Sequence, residues 1–357
     1  MYMSETIFTH DAAGELRYTL EREQPAGVFL ILPQNIGPQL LTTLDAPDIT
    51  DRAVHIPIPQ GEKHKTLATA QTVWRTMLEN GATRHSMVVN LGGGMTTDLG
   101  GFAAACYMRS VRYVNIPTTL LACVDASAGG KTGVNLDGVK NIVGVFHPPV
   151  ATIVCPRFLE TLPERELLSG WGEMLKHALL TGADPLSRHI AADPRIVRAE
   201  EWLPLIEESV RFKSRITQAD PTEKGLRRIL NLGHTTGHAI EALFNSDDTK
   251  AEPVTHGHAV AFGLVTALVL SHRCHGFSSA TLQRVARTVR ELYPPVPLRC
   301  DHYKALLALM HCDKKNLDSE LVSFVTMRAP GEAVQATPVE DGDICNALDI
   351  TRDLLGV

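Results

Sequence analysis

The chain has little of what marks a secreted, membrane-spanning or nucleic-acid-binding protein. Its seven cysteines (Cys106, Cys123, Cys155, Cys274, Cys300, Cys312 and Cys345) form no C-x-x-C pair and no regular spacing. That usage speaks against a disulfide frame and for reduced thiols in a cytoplasm. The net charge of −6 and a pI near 6.2 leave no broad basic surface for nucleic acid, so any basic cluster must be local. The longest apolar run, residues 259–270, is interrupted by Gly263 and is too short to span a bilayer. The N-terminal stretch MYMSETIFTHDAAGEL has no basic flank followed by an apolar core, and no secretory signal is expected. Internal repeats and low-complexity tracts are absent. What remains is an ordinary folded composition, 44% hydrophobic and 21% charged over 357 residues, enough for two domains.

The first 150 residues alternate short β-branched runs with helical segments. Strands are expected at 27–32, 53–58, 86–91 and 111–116, the last closed by Pro117, with helices near 37–44 and 66–80. The second helix stops at Gly81, a good C-terminal signal. Such alternation implies a parallel sheet of nucleotide-binding type. Past the Pro148-Pro149 break the texture becomes helical, with patterns at 164–181, 202–220, 227–244, 256–275, 278–293 and 303–312 and one strand-like segment at 321–327. The expected organisation is a Rossmann-like α/β domain over residues 1–155, followed by an all-α domain over 156–357.

Residues 92–141 are densest in chemistry: two glycine clusters, Asp98, Asp125, Arg109, Lys131 and Lys140. Glycine lets backbone approach a ligand closely, and lysine suits phosphate or carboxylate. Neither standard phosphate motif is complete. Thr97 stands where the third glycine of G-x-G-x-x-G belongs, and Asp125 where the first glycine of a Walker A loop belongs. The context survives: a strand, three glycines, then a helix start that presents amides to a pyrophosphate. Upstream, Glu62 follows the second strand and is placed to accept from a ribose diol, unless it and Lys65 merely open a solvated helix.

Further along, Glu173 lies in GWGEMLKH, His234 and His238 in NLGHTTGH, and His256 and His258 in THGH. A carboxylate with two imidazoles is a common catalytic zinc set. Histidines four apart share one helix face, so His234 and His238 can both reach one ion. Spacing alone leaves the choice among the four histidines open. A nucleotide end and a metal end together point to an enzyme acting on a phosphorylated small molecule.

The motifs IPQGEKHKTL, GGGMTTDLGGF, YMRSVRYVNIPTTLLACVDASAGGKTGVN, VKNIVG, GWGEMLKH, KGLRRILNLGHTTGHAIEAL, HGHAVAFG and DKKN stand in the order and spacing of a known family. Over most of its length the chain resembles the 3-dehydroquinate synthases, of the sugar-phosphate cyclase group. The resemblance implies an NAD-binding α/β domain, a helical metal-binding domain, a deep site between them and a cytoplasmic homodimer. It implies a carbon–oxygen lyase of the shikimate pathway to aromatic amino acids. The substrate would be 3-deoxy-D-arabino-heptulosonate 7-phosphate, converted to 3-dehydroquinate and phosphate by transient oxidation, elimination, reduction and aldol closure.

By position, the resemblance makes Glu173, His234 and His256 the ligands of a divalent ion, zinc or alternatively cobalt, and His238 a phosphate contact. Asp125, Lys131, Lys140, Asn141, Lys176, Lys213, Arg227 and Asn231 fall on active-site positions, with Lys314 or Lys315 as a late lysine. Lys213 and Arg227 would hold the substrate carboxylate; Lys131, Asn141, Asn231 and His238 would hold its phosphate. Arg109 resembles an arginine reaching the neighbouring subunit's site. NAD contacts would come from Glu62, Lys65, Gly93, Gly94, Asp98, Thr118, Thr119, Lys140 and Thr161.

The chain departs from the family pattern at His258, where glutamate is usual, at Thr97, where glycine is usual, and at Pro33, where aspartate is usual although Asn35 remains. Valiolone- or scyllo-inosose-type cyclases share the group but have no substrate carboxylate for Lys213 and Arg227. A metal-dependent polyol or alcohol dehydrogenase shares the architecture but would release NADH at each turnover.

Overall fold

The structure is a computed structural model and describes residues 5–126, 129–137, 139–221, 223–245, 253–312 and 321–357. Lys314 and Lys315 lie outside the described residues. The chain forms two compact units, Met1–Pro163 with Arg198–Val210, and Glu164–Val197 with Arg211–Val357.

The first unit is built on six strands: β1 (Glu5–Phe8), β2 (Val28–Pro33), β3 (Val54–Ile58), β4 (Met87–Gly92), β5 (Arg112–Pro117) and β8 (Ala151–Val154). They lie in the order β1-β8-β5-β4-β2-β3, every pair parallel. Helices cover both faces, so the inner strands are apolar throughout instead of alternating. On one face α1 (Ala12–Glu23) and α2 (Gly37–Leu44) bury Leu16, Leu40 and Leu44 against Leu30, Val89 and Val114. A single turn, α3 (Pro47–Thr50), leads into β3. On the other face α4 (Leu67–Glu79) and α5 (Gly94–Cys106) pack Val73, Met77, Leu99 and Phe102 against Ile31, Ile56 and Val88. Asn90 and Asn115 are paired across β4 and β5, and inside the sheet Asn90 Nδ2 donates to Asn115 Oδ1 at 2.9 Å.

A hairpin of β6 (Lys131–Leu136) and β7 (Val139–Phe146) packs over α5. Periodicity did not reveal it, because glycines and charged side chains interrupt the alternation. A Cβ at Gly101 of α5 would stand 2.5 Å from Thr132 of β6, so the hairpin sits directly on the helix.

The second unit is helical: α6 (Glu164–Thr181), α7 (Ala183–Ala191), the later part of α8 (Ala199–Ala219), α9 (His234–Phe244), α10 (His256–His275), α11 (Ser279–Leu292), α12 (Tyr303–His311) and α13 (Asp341–Leu355). It is not purely α: β9 (Val322–Ala329) and β10 (Glu332–Val339) form an antiparallel hairpin. The expected strand at 321–327 is therefore present, with a partner the pattern did not signal. The helix expected over 227–244 is two elements. A 3₁₀ segment, Leu226–Asn231, ends before α9, because Gly233 takes a φ of +77°, which breaks the helical path.

All seven cysteines are free thiols. Among the described residues, no helix is long and apolar enough to cross a membrane.

Candidate active site

In the first unit the carboxyl end of β4 runs through Gly92 into Gly93, the N-cap of α5. Bare amides at that helix start lie at the carboxyl edge of a parallel sheet, between β4 and β2, where the order of connections reverses. This is where such folds take a nucleotide pyrophosphate. The Thr118 amide donates to the Gly92 carbonyl at 3.0 Å, and a Cβ on Gly93 would stand 3.1 Å from Thr119. Gly93, Gly94, Thr118 and Thr119 are thus one group. Thr161 lies in the exposed turn ahead of α6.

Lys65 does not begin a solvated helix. It is 3% exposed, and its ammonium donates to Asp98 Oδ2 at 2.5 Å and to Asn141 Oδ1 at 2.6 Å. Burial raises the Asp98 carboxyl above its ordinary range, against the lowering effect of Lys65. Glu62 remains exposed in the short 3₁₀ turn before α4. Lys131 and Lys140 are exposed on the hairpin, and Asp125 sits in a π-helical turn after β5. Arg109 is exposed in the turn preceding β5. In a parallel sheet that turn lies at the edge opposite Gly93 and Gly94. Three successive residues there, Met108, Arg109 and Ser110, have positive φ.

In the second unit Glu173, His234 and His256 meet. Glu173 is fully buried; its Oε1 lies 3.4 Å from His234 Nε2 and 3.5 Å from His256 Nε2, and its Oε2 is ion-paired with the Lys176 ammonium. The far nitrogen of each imidazole is held. His234 Nδ1 is 3.1 Å from the Leu232 carbonyl oxygen, and His256 Nδ1 is 3.1 Å from Glu241 Oε2. His238 belongs to the same cluster: ligand atoms of His234, His238 and His256 lie within 4.8 Å of one another. His258 does not join it. It stacks on Tyr293 at 5.3 Å, and burial pushes it down to about 4.

Burial opposes charge throughout this cluster, and neighbours decide each outcome. At Glu173 burial raises the carboxyl, but Lys176 and the imidazoles outweigh it and hold the group well below its ordinary value. At His234 burial and the Lys176 ammonium keep the ring neutral. At His256 burial is overcome by the neighbouring carboxylates of Glu173 and Glu241, which raise the ring to about 10. A buried carboxylate oxygen facing two ring nitrogens, each longer than a hydrogen bond away, is a donor set that a divalent cation fits.

Glycine makes the convergence possible. A Cβ on Gly172 would stand 2.3 Å from the Gly257 carbonyl oxygen, and one on Gly257 would stand 1.7 Å from the Ser169 carbonyl oxygen. Helices α6 and α10 therefore cross in backbone contact beside Glu173 and His256. Gly233 plays the same part for His234, since a Cβ there would lie 2.9 Å from the Leu264 amide nitrogen.

Lys213 and Arg227 are both buried in this unit, 7% and 6% exposed. Arg227 donates to the Pro221 carbonyl oxygen at 3.1 Å, and Asn231 donates to Glu223 at 3.2 Å. Glu241 was missed from the sequence, although it stands three residues after His238 and seven after His234, on one helix face.

Comparison with known proteins decides the family. The model described as 3-dehydroquinate synthase N-terminal matches residues 55–169, and the C-terminal model matches residues 170–316. The 3-dehydroquinate synthase of Parabacteroides distasonis is 36% identical over 357 residues, all of both chains. The chain belongs to the 3-dehydroquinate synthase family. Solved structures agree on the fold. A 2-epi-5-epi-valiolone synthase from Streptomyces hygroscopicus subsp. jinggangensis, with NAD+ and Zn2+ bound, is 26% identical with a TM-score of 0.80, covering 99% of this chain and 98% of that one. A 2-deoxy-scyllo-inosose synthase complexed with carbaglucose-6-phosphate, NAD+ and Co2+ is 22% identical with a TM-score of 0.84, covering 96% and 95%. The family match extends across both units, and the motifs that first suggested the 3-dehydroquinate synthases lie within it.

Proposed function

We propose that the chain converts 3-deoxy-D-arabino-heptulosonate 7-phosphate to 3-dehydroquinate and inorganic phosphate, as an NAD- and metal-dependent carbon–oxygen lyase. The observation that carries this reading is the meeting of Glu173, His234 and His256 at one buried point in a chain that matches the family from end to end. Those three residues would hold the divalent cation, zinc by the nature of one carboxylate and two imidazoles, with cobalt as the alternative. Glu62, Lys65, Gly93, Gly94, Asp98, Thr118, Thr119, Lys140 and Thr161 would hold NAD+. Bound there, the dinucleotide would supply a reversible hydride acceptor, and the cation would lower the pKa of the hydroxyl to be oxidised.

The remaining work falls to side chains. Lys213 and Arg227 are buried cations of the second unit and would hold the substrate carboxylate, an anion that suits both side chains. Lys131, Asn141, Asn231 and His238 hold the phosphate until it leaves, and Asp125, Lys176 and one of Lys314 and Lys315 complete the polar lining. With both anionic ends fixed, the ring-opened product keeps its carbonyl and enol in reach, so the closing aldol step is effectively unimolecular. The protein would work as a cytoplasmic homodimer, with Arg109 offered to the partner's site.

The test compares two sugar phosphates. Purified protein should release phosphate from the heptulosonate and not from sedoheptulose 7-phosphate, which has no carboxylate for Lys213 and Arg227. Equal release from both would overturn the substrate assignment.

A further inference from the structure

Asn135 belongs to none of the groups assigned above, yet it joins three residues that do. The pairing of β6 with β7 slips beside it: Val134 opposes Val143, but Leu136 opposes Val139. In that bulge Asn135 leaves the ladder and turns its backbone N–H to the Lys65 carbonyl oxygen at 2.7 Å. Its side-chain Nδ2 donates to Glu62 Oε1 at 2.9 Å and to the Glu62 carbonyl oxygen at 3.3 Å. Its Oδ1 accepts the backbone N–H of Asn141 at 2.8 Å. Asn141 has a φ of +52°, a conformation asparagine tolerates better than most residues, and its own Oδ1 takes the Lys65 ammonium. The circuit Glu62, Asn135, Asn141, Lys65 thus closes on itself.

The amide is needed at both ends. Its oxygen faces a backbone donor and its nitrogen faces a carboxylate, so only one orientation satisfies both. Aspartate would keep the acceptor and set a second negative charge against Glu62. Alanine would leave the Asn141 amide and the Glu62 carboxylate without this partner.

We propose that Asn135 is a positioning residue that fixes Glu62, on the cofactor side, and Asn141, on the phosphate side, in one rigid relation. The inference rests on the nucleotide reading of Glu62 given above. Through this circuit the loss of one side chain weakens two binding functions at once, while the reacting groups stay in place.

The experiment measures the NAD+ dissociation constant by calorimetry, and KM and kcat for the sugar phosphate, in wild type, Asn135→Ala, Asn135→Asp, Glu62→Gln and Asn135→Asp/Glu62→Gln. Asn135→Ala should weaken NAD+ binding about tenfold and raise KM for the sugar phosphate, with kcat much less affected. A merely structural loss would lower kcat with the active fraction and leave KM unmoved. The near-isosteric Asn135→Asp keeps the fold testable should the alanine variant fail to accumulate, and it should also bind NAD+ weakly. Adding Glu62→Gln restores a donor facing the new carboxylate, and the double variant should recover to the affinity of Glu62→Gln alone. Unchanged NAD+ affinity and KM in a folded Asn135 variant, or strictly additive effects in the double variant, would overturn the proposal while leaving the cofactor reading intact. A wild-type protein that binds no NAD+ would overturn the cofactor reading and this inference together.

Discussion

His256 and Glu241 form a hydrogen-bonded pair, Nδ1 to Oε2 at 3.1 Å, that leaves His256 Nε2 aimed at Glu173. Helix α9 supplies the carboxylate and the first turn of α10 supplies the imidazole. Outer carboxylates of this kind fix a ligand's tautomer and raise its basicity, and removing one commonly weakens metal binding 10- to 100-fold. Glu241→Gln should therefore retain the fold and lose zinc to a chelator at concentrations about tenfold lower than wild type. Chelator competition followed by metal analysis reads this directly, and unchanged retention would remove Glu241 from the metal centre.

The crossing of α6 and α10 gives a second expectation. Gly257→Ala places a methyl group on the Ser169 carbonyl, a backbone atom that cannot rotate away. Overpacking of this kind costs about 1–3 kcal/mol, and more where backbone must move. The melting temperature should fall by several degrees. Because Glu173 and His256 flank the crossing, zinc retention should fall with it. A variant as stable and as metal-competent as wild type would show that the helices need not touch.

Acid sensitivity supplies a third. His189 of α7 stacks on Trp171 with centroids 3.9 Å apart, and burial pushes its ring down to about 3 from an ordinary 6.5. The folded state keeps this ring neutral while the unfolded chain takes up a proton below pH 6.5. Its contribution is complete above pH 6.5 and is lost progressively as pH falls toward 3, reaching about 2 kcal/mol at pH 5. Replacing it with an uncharged ring, His189→Phe, should flatten the fall in melting temperature between pH 7 and pH 5. An equally steep fall in the variant would place the acid-sensitive group elsewhere.

Much of this fold could be read from sequence where one physical signal dominates. Helices at 37–44, 164–181 and 256–275 appear with the expected bounds, because apolar spacing and end signals agree there. The inner strands are legible because both faces are buried and their residues run apolar without a break. The β6–β7 hairpin was not, since two of its residues answer to neighbouring site groups: Asn135 and Asn141 sit at the break in the ladder and bond to Glu62 and Lys65. The break at Gly233 escaped periodicity for a related reason. Only the folded chain shows that Gly233 takes a positive φ and that Leu264 approaches too closely for a Cβ there. For the metal cluster the sequence offered four histidines, and tertiary structure separates His258, which packs on Tyr293, from the three that converge.

Simultaneous measurement of phosphate and NADH during turnover of the heptulosonate 7-phosphate bears most directly on the chemistry. With zinc present and NAD+ far below the substrate concentration, phosphate should be released to the full amount of substrate while NADH stays below the enzyme concentration. NADH accumulating mole for mole with product, or phosphate release that stops once the added NAD+ is exhausted, would contradict a hydride that is taken and returned within one active site.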